Sequence, residues 1–208
     1  MIYKENAYSG IKYCVWLPDN FDGTNKYPVI FFTHGAGTRG TDLSLVKTHS
    51  VLNALSEQAK NAVIVAPLCS ENSWFDVFGN LIRLLESIYE NPFTDRDHFY
   101  GVGVSMGGYA MIQLMESRPG LFAAGIVCCG GGMYWNAERL KNIPLRLFHG
   151  AQDTIVYPEE SRRMHEKIID TGGKAELTVY PECEHNCWDR TFRERGNITW
   201  LLSQRTRH

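Results

Sequence analysis

About six short strand-like runs, several of them almost uninterruptedly apolar, punctuate this chain, and a longer stretch of helical periodicity follows nearly every one. The runs are KYPVIFFTHG, NAVIVAP, HFYGVGVS, FAAGIVCCGG, PLRLFHGAQD and AELTVYPE. A strand that is apolar at every position, not at every second one, is buried on both faces, as in a parallel sheet between two helical layers. The layers come from the stretches between. LVKTHSVLNALSEQAK carries Leu45, Val46, Val51, Leu52 and Leu55 near helical spacing, and FGNLIRLLESIYE sets Leu81, Leu84, Leu85 and Ile88 on one face. GGYAMIQLMES, PEESRRMHEKIIDTGG and CWDRTFRERGNITWLLSQR read as further helices, and the opening YSGIKYCVWLPDN as an antiparallel edge strand. Strict alternation of this kind implies an α/β fold: a single domain over residues 1–208 with a mostly parallel sheet covered by helices on both faces.

Ligands of such sheets bind beyond the carboxyl ends of the strands. There Gly103-Val104-Ser105-Met106-Gly107 spells G-x-S-x-G between a strand and a helix. In that context the glycines permit a strained turn that lifts a serine hydroxyl clear of the sheet. A serine hydroxyl is a weak nucleophile without a base, and the chain order that accompanies this turn is Ser, then Asp or Glu, then His. Asp153, just past one buried strand, and His185, just past the last, follow Ser105 in that order and reach the same sheet edge.

Composition removes other classes. With 44% hydrophobic and 21% charged residues the chain has the make-up of a soluble globular protein. A formal charge of −2 sets up no field to attract nucleic acid or an anionic membrane, so neither is expected as a partner. The basic run Arg205 to His208 reads as a solvated terminus. No stretch approaches the ~18 apolar residues of a spanning helix, MIYKENAYSG lacks the apolar core of an export signal, and a cytoplasmic location is expected. The cysteines (Cys14, Cys69, Cys128, Cys129, Cys183, Cys187) accordingly read as thiols, with Cys128 and Cys129 as small fillers of a buried strand. Cys183 and Cys187, with His185 between them, could bridge or hold a metal. No second ligand pair of matching spacing accompanies them, and no metal is expected.

The pieces VIFFTHGAGTRGTD, VGVSMGGYA, LRLFHGAQDTIVYPEES and YPECEHNCWD resemble a small α/β-hydrolase. The likeness is to the branch of dienelactone hydrolases, feruloyl and acetylxylan esterases and prolyl-oligopeptidase-like peptidases. It implies the α/β-hydrolase fold, Ser105 as nucleophile, His185 as base and then acid, and Asp153 as the group orienting His185. It also implies an oxyanion hole built from the backbone amides of Ala36, in the His34-Gly35 turn, and of Met106. No cofactor is called for. The activity expected is hydrolysis of small carboxylic esters through an acyl-enzyme. A peptidase and a thioesterase remain alternatives in the same fold, and a non-catalytic binding protein is an alternative of another class. The segments leaving the strands are short, so no large lid is expected, and an open site suits small acyl groups on polar or sugar-like leaving parts. Monomer and homodimer both stay open.

Neighbouring residues carry two readings each. Trp74, Tyr134 and Trp135 follow strand ends and are candidate substrate-binding residues; each could equally be a loop aromatic packed on a helix. Trp188 reads as a brace for the His185 loop. Asp76 and Asp189 are rivals of Asp153. Among the other histidines, His34 and His149 read as rings bonded to backbone, and His49 and His165 as helix surface. The Gly130-Gly131-Gly132 run has no helix-opening lysine and does not read as a phosphate loop.

Overall fold

The computed structural model describes residues 1–206; Arg207 and His208, the end of the basic run, lie outside the described residues. The sheet has eight strands: β1 Ile2–Tyr8, β2 Ile11–Leu17, β3 Tyr27–Thr33, β4 Val63–Pro67, β5 Thr94–Val104, β6 Ala124–Cys128, β7 Leu145–Gly150 and β8 Ala175–Tyr180. Their order is β1-β2-β4-β3-β5-β6-β7-β8. β2 runs antiparallel to β1 and β4, and β3 to β8 run parallel to one another. The helices are α1 Ser44–Lys47, α2 Ser50–Gln58, α3 Phe78–Tyr89, α4 Met106–Ser117, α5 Glu159–Asp170, α6 Trp188–Arg193 and α7 Arg195–Leu202.

Side chains along the central strands divide by parity between two cores. Val29, Phe31, Val63, Val65, Phe99 and Val127 pack with α3, α4 and α5 through Leu81, Leu85, Met111, Leu114, Met164 and Ile168. Ile30, Phe32, Ile64, Tyr100, Val102 and Ile126 face α2 and α7 through Val51, Leu55, Ile198 and Leu201. Because both faces are covered, the strands read as unbroken apolar runs. This is the three-layer α/β-hydrolase architecture. The segments leaving the carboxyl ends are residues 34–43, 68–77, 129–144, 151–158 and 181–187, with only 3-10 turns inside them, too short for a large lid.

Three expectations need correction. The opening strand is not the edge, because β1 pairs outside it across a Ser9-Gly10 turn in which both residues have positive φ. β1 escaped notice because it is almost wholly exposed and lacks an apolar pattern. The helix expected from residue 45 to 60 is two helices, and His49 is not helix surface. Its ring accepts the Val51 amide as the N-cap of α2 and packs on Phe32, while Leu45 is exposed. The final helix breaks at Glu194, whose extended backbone separates α6 from α7.

Candidate active site

Ser105 sits between β5 and α4 with φ 53° and ψ −124°, a conformation that costs an L-residue ~1–3 kcal/mol. The surroundings over-determine it. Its amide donates to the Cys128 carbonyl (2.9 Å), and the Thr33 hydroxyl donates to the Gly107 carbonyl (2.7 Å). A Cβ on Gly107 would collide with the carbonyls of Thr33 and His34, and one on Gly103 with that of Gly107. Both glycines of the motif are therefore required by close backbone approach.

His185 lies in the segment between β8 and α6. Its Nε2 is 2.8 Å from Ser105 Oγ, and its Nδ1 is 2.7 Å from Asp153 Oδ2. With Nδ1–H directed at the carboxylate, Nε2 is left free to accept the serine proton. Asp153 is buried, and its Oδ1 accepts the amides of Ile155 (2.9 Å) and Val156 (3.0 Å). Burial alone raises its carboxyl pKa, but the His185 hydrogen bond and these two amides outweigh it and hold the group below its ordinary value. Asp76 and Asp189 are engaged elsewhere. Asp76 closes a capping box with Ser73, and Asp189 accepts the Ser50 hydroxyl at 2.6 Å.

Several contacts carry the His185 segment back onto β7. The Ala151 amide donates to the Tyr180 carbonyl (2.9 Å) and the Gln152 amide to the Cys183 carbonyl (3.0 Å). Gly150 lets the backbone of Cys183 and Glu184 lie where a Cβ would otherwise stand. The Trp188 and His185 rings meet edge-to-face, with centroids 5.4 Å apart at 88°. The Cys129 thiol donates to the His185 carbonyl (2.7 Å).

Cys129 is therefore not a strand filler. It stands just past β6 with φ 49°, and its Sγ is 3.1 Å from that of Cys187. The Cys187 thiol thus turns toward Cys129 and not toward Cys183. Among the described residues, Cys129, Asp153 and His185 bring possible metal-ligand atoms within 4.8 Å of one another, although Asp153 and His185 already satisfy each other.

The turn after β3 runs beside the serine: a Cβ on Gly35 would lie 3.3 Å from Ser105 Cβ. Ala36 opens a 3-10 turn, Ala36–Thr38, and Met106 opens α4, so neither amide has an acceptor within its own helix. His34 fixes the turn from beneath. Its Nδ1 donates to the Gly35 carbonyl (2.7 Å) and its Nε2 accepts the Cys69 amide (3.0 Å). Burial pushes its pKa down to about 4, which keeps the ring neutral.

Trp74 does not wall a pocket. It is fully buried, and its indole N–H donates to the His34 carbonyl (2.9 Å), so it supports the same turn from inside the core. Tyr134 and Trp135 are 40% and 65% exposed and meet edge-to-face at 5.2 Å, in the 3-10 turn that follows β6.

Gly150, Cys129, Cys187 and the Trp74–His34 contact escaped sequence reading. The only hint was a glycine after His149 at a strand end.

Comparisons with known proteins bear on the family and the fold. The family model described as "Dienelactone hydrolase family" matches residues 29–195. "Dipeptidyl-peptidase 5" of Aspergillus fumigatus is 30% identical over 130 residues, covering 56% of this chain and 18% of that protein. "Probable feruloyl esterase C" of Aspergillus niger is 23% identical over 189 residues, covering 88% of this chain and 70% of its own length. A solved thermostable esterase superposes with a TM-score of 0.86 at 30% identity, over 98% of this chain and 63% of that one. The chain thus spans less than a fifth of the dipeptidyl-peptidase and a little under two thirds of the thermostable esterase. Among the described residues no helix is long and apolar enough to cross a membrane.

Proposed function

Because the chain belongs to the dienelactone hydrolase family, we propose that it is a serine hydrolase cleaving small carboxylic esters through an acyl-enzyme intermediate. The observation that carries this reading is the pair of short hydrogen bonds from Ser105 through His185 to Asp153, on a serine held in a strained backbone. His185 Nε2 takes the hydroxyl proton as Oγ attacks the ester carbonyl, and Asp153 stabilises the imidazolium that results. The Ala36 and Met106 amides receive the developing oxyanion, at roughly 3–4 kcal/mol of barrier lowering per donor. His185 then protonates the leaving alkoxide, and water repeats the cycle on the acyl-enzyme. Short segments around the site suit small acyl groups on polar leaving parts, with Tyr134 and Trp135 as candidate contacts for them.

The dipeptidyl-peptidase relative favours a second reading, an amide hydrolase in the same fold. One panel separates them: acetyl, feruloyl, longer acyl and dipeptide chromogenic substrates, tested on wild type and Ser105→Ala. Ester turnover that falls by ~10^4-fold or more in the variant supports the proposal. Full turnover by Ser105→Ala rejects the nucleophile, and reaction with amides alone rejects the esterase.

A further inference from the structure

The sulfur atoms of Cys129 and Cys187 sit 3.1 Å apart, inside the roughly 3.5–4.0 Å at which non-bonded heavy atoms attract best. Closing a bond between them needs a shortening of about 1 Å, to the ~2.05 Å of a disulfide. Both residues are fully buried, in the core that Cys128 and the half-buried Cys183 also join. The pair occupies an informative place. Cys129 ends β6 and bonds the His185 carbonyl, while Cys187 lies two residues beyond His185 and caps α6. A link between them would fasten the segment carrying His185 to the central sheet.

We propose that Cys129 and Cys187 form a peroxide-oxidisable dithiol whose disulfide tethers the His185 segment to the end of β6. The oxidant is hydrogen peroxide, which accepts two electrons. Cys129 sulfur, as thiolate, attacks one peroxide oxygen, and the departing hydroxide takes back the proton that Cys129 gave up to its acceptor and leaves as water, giving a sulfenic acid. Cys187 sulfur then attacks the Cys129 sulfur and expels hydroxide, which takes the Cys187 proton and leaves as a second water. Two thiols lose two electrons, and one peroxide gains them.

The contact with Cys187 and burial both push the Cys129 thiol up, so the resting pair is protonated and the first step needs a proton acceptor. One is at hand, since atoms of Asp153 and His185 lie within 4.8 Å of Cys129 Sγ. That proximity singles out Cys129 as the attacking sulfur and Cys187 as the resolving one. The proposal does not depend on which substrate the enzyme takes, because its readout is a covalent link.

The test incubates folded wild-type protein with hydrogen peroxide, blocks free thiols, and maps disulfides by mass spectrometry beside Cys187→Ala and Cys183→Ala. A Cys129–Cys187 peptide is expected in the wild type, undiminished in Cys183→Ala and missing in Cys187→Ala. The oxidised wild type should melt roughly 5–10 °C higher, and dithiothreitol should reverse the shift. Because the melting comparison is made on wild-type protein before and after reduction, it stands even if a variant folds poorly. Absence of the 129–187 link in folded protein overturns the proposal, as does a link from Cys187 to Cys128 or Cys183 in its place. A link that leaves Tm unmoved overturns the tether.

Discussion

His149 Nε2 lies 3.2 Å from Asp153 Oδ2, the same oxygen that receives His185 Nδ1 at 2.7 Å. The side chains of His149 and Asp153 have no solvent exposure. The His149 Nε2–H is directed at the Val156 carbonyl (2.8 Å), and Nδ1 meets the Ser161 hydroxyl (2.7 Å). Burial pushes the His149 pKa down, so the ring stays neutral and props the carboxylate without discharging it. His149 is a positioning residue: it touches Asp153 and not the reacting atoms.

Replacing it should therefore weaken turnover more than binding. His149→Ala is expected to lower kcat by ~10–100-fold with KM nearly unchanged, and to cost about 1–3 kcal/mol of stability from the donors and acceptors left unpaired. Steady-state kinetics and a denaturant melt check both. An unchanged kcat would show that the two amides hold Asp153 unaided.

The Gly35 turn offers a steric test of the oxyanion assignment. A methyl at Gly35 would press on Ser105 Cβ at 3.3 Å, whereas one at Gly37 has nothing within 4 Å. Gly35→Ala should lose ~10-fold or more in kcat, and Gly37→Ala should stay near wild type. Equal kinetics for the two variants would count against it.

Two histidines, His34 buried and His49 partly buried, should make the fold acid-sensitive. Burial lowers the pKa of both His34 and His49 to about 4, against 6.5 in the ordinary imidazole. Between those values the unfolded chain binds more protons than the folded one. Stability is therefore complete above pH ~6.5 and falls as pH drops toward 4, by at most ~1.4 kcal/mol per pH unit for each group. His49→Asn keeps a capping acceptor for α2 and removes one titration, so its stability between pH 6.5 and 4 should fall less steeply in chemical denaturation.

Glu116 acts in the opposite direction. It is buried in α4 with neither carboxyl oxygen hydrogen-bonded, and burial raises its pKa to about 7, partly offset by Arg139. Here the folded chain holds a proton that the unfolded chain releases from pH ~4.5 upward, so stability is lost as pH rises through 7. Glu116→Gln should gain on the order of 2 kcal/mol relative to wild type at pH 8 and little at pH 4, measured by urea titration at both values.

Much of this was legible from the chain because the relevant signals are local. The unbroken apolar runs of β3 to β7 reflect burial on two faces, and the glycines at 103 and 107 mark a turn whose steric demand is written into five consecutive residues. β8, with alternate residues exposed, remained readable from its flanking turn residues. β1 did not, because an exposed strand has no burial to report. The helix breaks at His49 and Glu194 were hidden for a related reason: apolar periodicity persists across a kink that side-chain caps and backbone geometry impose.

By itself the sequence determined the parallel three-layer sheet, the strained serine turn, and the order in which serine, acid and histidine arrive at one rim. Periodicity and glycine placement are properties of neighbours in the chain. Tertiary structure alone decided that Trp74 would be buried beneath the His34 turn, that His149 would share the Asp153 carboxylate, and that Cys129 would meet Cys187 behind the histidine. The first and last of those pairs join residues from different connections, and only close packing brings their atoms within bonding distance, whereas His149 and Asp153 lie four residues apart and meet through the turn that ends β7.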